Sequence, residues 1–276
     1  MDEMDKGLYL VATPIGNLED ITLRAINTLK SVDVIACEDT RHSRILLEHY
    51  GINKRLISCY KEKEMKAGDE IIALIREGKS VALITDAGMP CVSDPGAIVV
   101  DKVRKEGFYV TSIPGASACV TALSLTGIAA RSFTFLGFLP EKKKEREDVL
   151  ARYADVDSTL IFYSSPYDIN DDISDMYAHF GKRRVFMIKE LTKLYESVEE
   201  GFLDSLRVEN PRGEYVVVVE GKDDTSDNFT DMTAEEHYKV NLMKYMNKKE
   251  AIKATARERG VPKDEIYKAV LDMERD

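Results

Sequence analysis

Cysteine and histidine are scarce in this 276-residue chain, four of each, and neither falls in a metal-binding or redox pattern. Cys37, Cys59, Cys91 and Cys119 are scattered, with no CxxC spacing and no histidine cluster beside them. Neither a zinc site nor a disulfide framework is indicated, no metal is expected, and a reducing cytoplasm is the setting that fits. No apolar run approaches membrane-spanning length, and the N-terminus MDEMDKGLYLV is acidic where a signal peptide needs positive charge. The chain reads as neither secreted nor membrane-bound. Two phosphate fingerprints are also missing. There is no GxxxxGK followed by Ser or Thr, and the run Ala12 to Asn17 lacks GxGxxG spacing and has Pro14 where backbone would approach a pyrophosphate. An NTPase and a standard dinucleotide enzyme are thereby disfavoured. The run Gly115 to Cys119 (GASAC) is one glycine short of GxSxG, and the histidines that follow it, His179 and His237, sit in no recognisable strand-end loop. A serine hydrolase is a weak reading. Surplus positive charge is lacking as well: the net charge of −10 argues against general adhesion to nucleic acid, which requires a basic surface.

What is present is enough apolar residue, 44% of the chain, for a substantial core. Strand-like runs at 8–12, 32–37, 56–59, 80–84 and 109–112 alternate with helix-like ones at 21–30, 43–50, 65–77, 97–105 and 118–126. Strict alternation with apolar strands predicts an α/β fold whose mostly parallel sheet is covered on both faces. After Gly127 the rhythm is less regular. Strands are expected at 132–139, 159–163, 184–188 and 214–220, with a charged helix at PEKKKEREDVLARYA, so the second sheet should be mixed. The polar stretch 222–230 (KDDTSDNFT) is the best linker candidate. Beyond it, apolar spacing predicts two short helices joined at Gly260-Val261-Pro262, a helix-turn-helix-like pair. The expected division is an N-terminal α/β domain over 1–116, a second α/β domain over 117–230 and a helical domain over 233–276.

Three strand-end loops concentrate the conformational signals. They are Thr13-Pro14-Ile15-Gly16-Asn17, the run from Asp86 to Gly96 (DAGMPCVSDPG), and Ile113-Pro114-Gly115-Ala116-Ser117-Ala118. Asp94-Pro95 also reads as a helix start, with Asp94 as N-cap and Pro95 in the first turn. In an open α/β sheet, loops at the carboxyl ends of the strands are where ligands collect. With metal, phosphate and covalent chemistries disfavoured, methyl transfer from a sulfonium donor is a reaction that such stiff loops suit. The donor is already activated, so the protein must chiefly hold donor and acceptor in line and exclude water.

The run LYLVATPIGNLEDITLRAINTLKSVDVIACEDTRHSRILLEHYGI, together with TDAGMPCVSDPG, SIPGASACVTAL, FTFLGFLP, FYSSP and ELTKLYE, closely resembles the ribosomal RNA small subunit methyltransferase I family. That family is similar in fold to the tetrapyrrole methylases. The resemblance covers about residues 7–221 and extends to the C-terminal helices. It departs at Met89, where threonine is usual, and at Cys91-Val92, which replaces a more aliphatic pair. It implies two α/β domains of tetrapyrrole methylase type plus a small helical pair. It also implies S-adenosyl-L-methionine as cofactor, a homodimer, and methylation of the ribose 2′-hydroxyl of a cytidine in 16S rRNA. By motif, Ile15, Asp86, Gly88, Met89, Ser117 and Ala118 are the cofactor-binding positions, with Phe162, Tyr163 and Tyr215 as additions.

On the acceptor side stand Glu38, Asp39 and Arg41 after the second strand and Glu190 and Lys193 in ELTKLYE. Arg41, Asp39 and Lys193 are candidate RNA contacts, and a surface ion-pair network is the plain alternative. Glu190, Lys193 and Glu38 are the candidates to assist ionisation of the hydroxyl. Between Lys239 and Lys263 eight basic residues face two acidic ones. Lys248, Lys249 and Arg257 of that segment are further candidate RNA contacts, with a solvated helix face equally compatible. Tyr60, Phe138, Tyr163 and Tyr167 are available to stack on an exposed cytosine. Two other readings stay open: another methyltransferase of the same fold, acting in tetrapyrrole or diphthamide synthesis, and a non-catalytic ribosome-assembly factor.

Overall fold

The computed structural model describes residues 5–129, 131–222, 232–245 and 247–273. The chain divides into two compact units, within residues 1–220 and 221–276. The first unit holds two five-stranded sheets.

The first sheet comprises β1 (Gly7–Val11), β2 (Val34–Cys37), β3 (Arg55–Ser58), β4 (Val81–Ile84) and β5 (Tyr109–Ile113), in the order β3-β2-β4-β1-β5. All of its pairings are parallel. Every residue of β2 and β4 is buried, as expected of strands covered on both faces. Alternate side chains reach opposite layers. Leu8, Val34, Ala36, Val81 and Leu83 pack with α3 (Glu64–Arg76) and α4 (Ala97–Lys105). Tyr9, Val11, Ile35, Cys37, Ala82 and Ile84 pack with α1 (Leu23–Ser31) and α2 (Thr40–His49). Each such fully buried aliphatic side chain contributes roughly 1.5–3 kcal/mol. Because β1 leads towards β2 and β4 towards β5, the connections leaving these adjacent strands run in opposite directions, and that divergence opens a crevice at their carboxyl ends.

The second sheet, β6 (Phe133–Phe138), β7 (Thr159–Ser164), β8 (Arg184–Lys189), β9 (Ser197–Phe202) and β10 (Tyr215–Val219), has the order β6-β7-β10-β8-β9. It is mixed: β6 and β7 are parallel and the rest antiparallel. One face packs on α6 (Lys143–Arg152) and α7 (Ile169–Phe180). The other, through Ile161, Phe186, Ile188, Val216 and Val218, packs on α5 (Ala118–Leu125) and reaches Ile15. The helix α7 and the edge strand β9 have no counterpart among the sequence-based expectations. β9 is exposed along nearly its whole length and so lacks the apolar alternation that marks a strand.

The second unit contains three helices rather than a pair: α8 (Ala234–Tyr245) precedes α9 (Lys248–Arg259) and α10 (Lys263–Met273). Thr233 and Glu236 form a reciprocal capping box ahead of α8. Asn247 caps α9, which ends on Gly260 in the left-handed conformation, φ 66°. Tyr238, Ala251, Ile252, Ala256, Ile266 and Val270 form its core. The expected linker, apart from Lys222, lies outside the described residues.

One local expectation fails in an informative way. Asp94 does not cap α4, whose N-cap is Gly96 at φ 130° with no side-chain cap. The carboxylate of Glu64 on α3 accepts the Gly96 N–H instead. Asp94 is thereby released from a capping role.

Candidate functional site

The three strand-end loops are joined to one another. Thr13 N–H donates to the Gly88 carbonyl at 2.9 Å and Gly88 N–H returns a bond to the Thr13 carbonyl at 3.1 Å. The Thr13 hydroxyl also donates to the Thr85 carbonyl at 3.1 Å. The loop after β5 closes on the end of β1 so tightly that a Cβ on Gly115 would lie 2.7 Å from Ala12 Cβ. Only glycine permits that approach.

Against these loops, the second sheet completes a cleft of about 240 Å³. The first-sheet loops contribute Ile15, Ala87, Gly88, Met89, Val92, Ser93 and Asp94, and Ser117 and Ala118 stand at the start of α5. The second sheet adds Phe138, Tyr163, Leu191, Glu214, Tyr215 and Val216 among others. Apolar walls with main-chain polar groups and two carboxylates suit a cationic sulfonium carrying a nucleoside. Gly88, at φ 81°, keeps the floor open, since a Cβ there would lie 3.3 Å from Ile15 Cγ2.

Two loops bordering the cleft carry all four non-glycine residues found at positive φ among the described residues: Cys91 (68°), Ser93 (66°), Glu190 (51°) and Thr192 (67°). Such backbone costs on the order of 1–3 kcal/mol per residue and persists where the surroundings impose it, typically at ligand sites. Between Phe135 and Gly137 the pairing of β6 with β7 shifts register, and Gly137 at φ 65° lets the strand pass Ser93, whose Oγ would be 3.0 Å from a Cβ there. Phe138 then lines the cleft while 62% exposed. Tyr163 meets its edge at 5.6 Å.

Of the expected cofactor positions, Ile15, Gly88, Met89, Ser117, Ala118, Tyr163 and Tyr215 line the cleft. Tyr215 does so with its side chain buried in the core and its hydroxyl accepting the Arg212 N–H at 3.1 Å. Phe162 does not: its fully buried ring packs with Ile169, Ile173 and Phe180 on the other face of β7. The period of two along a strand sends neighbours to opposite faces. Asp86 stands just behind the lining, its Oδ1 buried with no hydrogen-bond partner.

Glu190 and Lys193 are brought together. Lys193 Nζ donates to Glu190 Oε1 at 2.9 Å and to Glu214 Oε2 at 3.0 Å, and Glu190 Oε1 also accepts the Glu214 N–H at 3.0 Å. The Lys193 hydrogen bond holds the Glu190 carboxyl below its ordinary range. Burial opposes the charge on Lys193, but Glu190 and Glu214 outweigh it and raise its pKa. A carboxylate so well satisfied is a weak proton acceptor, and Glu190 reads as the anchor of Lys193.

Asp39 caps α2, accepting the Arg41 N–H at 2.8 Å, and its carboxylate pairs with the Arg41 guanidinium at 2.8 Å. The Arg41 bonds hold Asp39 down to about 2. The Arg41 side chain is 90% exposed, so the pair is a surface one worth little to stability and open to a partner. Glu38 accepts from the Thr85 hydroxyl at 3.3 Å, and burial with the nearby Asp86 carboxylate raises its pKa. The cleft residue that sequence reasoning missed is Asp94. Its local signal, Asp-Pro-Gly before a helix, is also that of a cap.

The family model for Tetrapyrrole (Corrin/Porphyrin) Methylases matches residues 7–207. The chain is 43% identical over 272 residues to the ribosomal RNA small subunit methyltransferase I of Halalkalibacterium halodurans, covering 95% of this chain and 94% of that one. It is 42% identical to the protein of that name from Bacillus subtilis, covering 95% and 93%, and 38% identical to that of Escherichia coli O157:H7, covering 99% and 97%. Among solved structures, the fold is similar to the uroporphyrin-III-C-methyltransferase of Thermus thermophilus, with a TM-score of 0.56 at 22% identity over 79% of this chain and 94% of that one. It is also similar to the methyltransferase CobJ, with a TM-score of 0.62 at 15% identity over 79% and 95%.

Proposed function

This chain belongs to the ribosomal RNA small subunit methyltransferase I family of tetrapyrrole methylases, and from that premise we propose that it methylates the ribose 2′-hydroxyl of a cytidine in 16S rRNA, with S-adenosyl-L-methionine as the methyl donor. The observation that carries the reading is the cleft itself: three mutually bonded strand-end loops facing the second sheet, with apolar walls and carboxylates at the edge. When bound, the cofactor supplies an electrophilic methyl group on a sulfonium.

The residues present fit that group. Ile15, Met89 and Val216 offer apolar cover, while Asp94 and Glu214 offer charge of the sign a sulfonium and an ammonium require. The main chain at Gly88, Ser117 and Ala118 reads polar edges, and Gly88 keeps room for them. Tyr163 and Phe138 supply a face for a base swung out of its stack, since a ribose hydroxyl in folded RNA must be exposed to react. Lys193, held by Glu190 and Glu214, sets a fixed positive charge by the cleft, where a phosphate flanking the target would lie. Arg41, at the first turn of α2, offers a second such contact, and Lys248, Lys249 and Arg257 on α9 offer others. A basic helix on a chain of net charge −10 favours recognition at a defined place over coating of RNA. The homodimer belongs to the same reading, and sedimentation equilibrium tests it.

The experiment is to supply labelled S-adenosylmethionine with small ribosomal subunits lacking the modification and to map the product by resistance to alkaline hydrolysis. One protected linkage, 3′ of a cytidine in 16S rRNA, is the expected result. Label on a base, or none in RNA, overturns the proposal. Assembled subunits, which present a preformed surface, are expected to react faster than naked RNA. Arg41→Ala is expected to lose RNA methylation while calorimetric affinity for S-adenosylmethionine stays within threefold of wild type. Equal loss of both would remove Arg41 from the RNA side.

A further inference from the structure

Methyl transfer to a ribose hydroxyl needs somewhere for the hydroxyl proton to go. Among the polar groups around the cleft, Glu190 is satisfied by two donors and Lys193 is held as a cation by two carboxylates. Glu38 is absent from the cleft lining. Asp94 is in it, half-buried, on the loop fixed by the left-handed conformations of Cys91 and Ser93. It has no capping duty, because Gly96 opens α4 and Glu64 satisfies the Gly96 N–H.

Behind Asp94 stands the Thr85 hydroxyl, which donates to Glu38 at 3.3 Å and is also close enough to hydrogen-bond Asp94. One hydroxyl proton cannot serve two carboxylates at once, so one of the two is always short of a donor. The Asp86 carboxylate adds like charge to both. The remaining titratable neighbours of Asp94, the Cys91 thiol and the Tyr163 phenol, are pushed up to about 11 and about 12 chiefly by burial and stay neutral at physiological pH. No cation among these neighbours competes for the proton that this group is short of.

We propose that Asp94 is the general base of the reaction, with Thr85 and Glu38 as the positioning pair behind it. The assignment rests on the ribose-methylation reading above. In the step, the acceptor O–H bond breaks and its proton passes to an Asp94 oxygen. The hydroxyl oxygen forms its bond to the methyl carbon as the carbon–sulfur bond breaks, and that electron pair neutralises the sulfonium. Asp94 then loses its proton to solvent at the cleft mouth. Burial first, then the Glu38 carboxylate, push Asp94 up to about 6, which leaves it ionised at pH 7 to 8 yet more basic than a free carboxylate.

The test is single-turnover methyl transfer to small subunits between pH 5 and 9, with calorimetric titration of S-adenosylmethionine as the second readout. Wild type is expected to show a rising limb with an apparent pKa near 6. Asp94→Asn is expected to bind S-adenosylmethionine within threefold of wild type, to react about 10²-fold or more slowly, and to lose the limb. Thr85→Val, which removes the donor, is expected to keep cofactor affinity and move the limb to higher pH. A rate for Asp94→Asn within threefold of wild type overturns the assignment. So does an affinity that falls as far as the rate, which would make Asp94 a counter-charge for the cofactor. A wild-type protein that binds S-adenosylmethionine yet methylates no ribose overturns the function and this assignment together, whereas an active wild type with an equally active Asp94→Asn overturns the assignment alone.

Discussion

Ser93 is held at φ 66° between the cleft and the bulge of β6. A left-handed serine costs roughly 1–2 kcal/mol that glycine does not incur. Ser93→Gly is therefore expected to raise stability by about 1 kcal/mol in urea unfolding while weakening S-adenosylmethionine several-fold, because the loop that sets Asp94 gains freedom. A variant no more stable than wild type would show that the conformation is unstrained. Single residues were also where the sequence was hardest to read. The three loops stand out by their prolines and glycines, and most of the positions expected to meet the cofactor do line the cleft. Phe162 and Tyr163 were indistinguishable, since both end one strand and only the fold decides which face looks into the cleft. Asp94 was hidden by a motif that starts helices elsewhere, and the Glu64 carboxylate that takes over at Gly96 lies 32 residues away in the chain. Left-handed backbone at Cys91, Glu190 and Thr192 leaves no mark in residue type at all.

Elements were legible where they were buried on a regular period. All five strands of the first sheet follow from apolar runs. The edge strand β9 and the helix α7 did not, the one because it is exposed, the other because its acidic first turn masks the apolar face made by Ile169, Ile173, Met176 and Phe180. That first turn contains Asp172, 4% exposed, which accepts from the Ser164 hydroxyl at 2.6 Å. Burial raises its pKa to about 6 from 3.8. The folded state therefore prefers Asp172 protonated. The stability it contributes is fully present below about pH 3.8 and is lost as the pH rises through about 6. Asp172→Asn keeps an acceptor for Ser164 without the buried charge. It is expected to stabilise the protein by about 2 kcal/mol at pH 8 and by little at pH 4, as read from urea midpoints at the two values. Equal effects at both would mean that Asp172 titrates normally.

At the scale of the molecule, the cleft lies within the first unit and the basic helix α9 within the second. Cofactor binding and part of the RNA affinity should thus separate. Replacing Lys248, Lys249 and Arg257 together by alanine is expected to leave S-adenosylmethionine affinity unchanged. The slope of log affinity for RNA against log salt should fall by about 2–3, close to one for each phosphate no longer neutralised. An unchanged slope would assign α9 to a solvated face. Everything proposed for the chemistry presupposes that the cleft is the seat of the methyl donor, and Gly88 is the residue whose substitution reports on it with least ambiguity. A β-branched side chain there meets Ile15 at the cleft floor with φ at 81°. The decisive measurement is calorimetric titration of S-adenosylmethionine into wild-type protein and Gly88→Val, with circular dichroism to verify the fold. One site per chain in wild type, and affinity at least a hundredfold lower in a folded Gly88→Val, is the predicted result. Absence of binding by wild type, or equal binding by the two proteins, would contradict it.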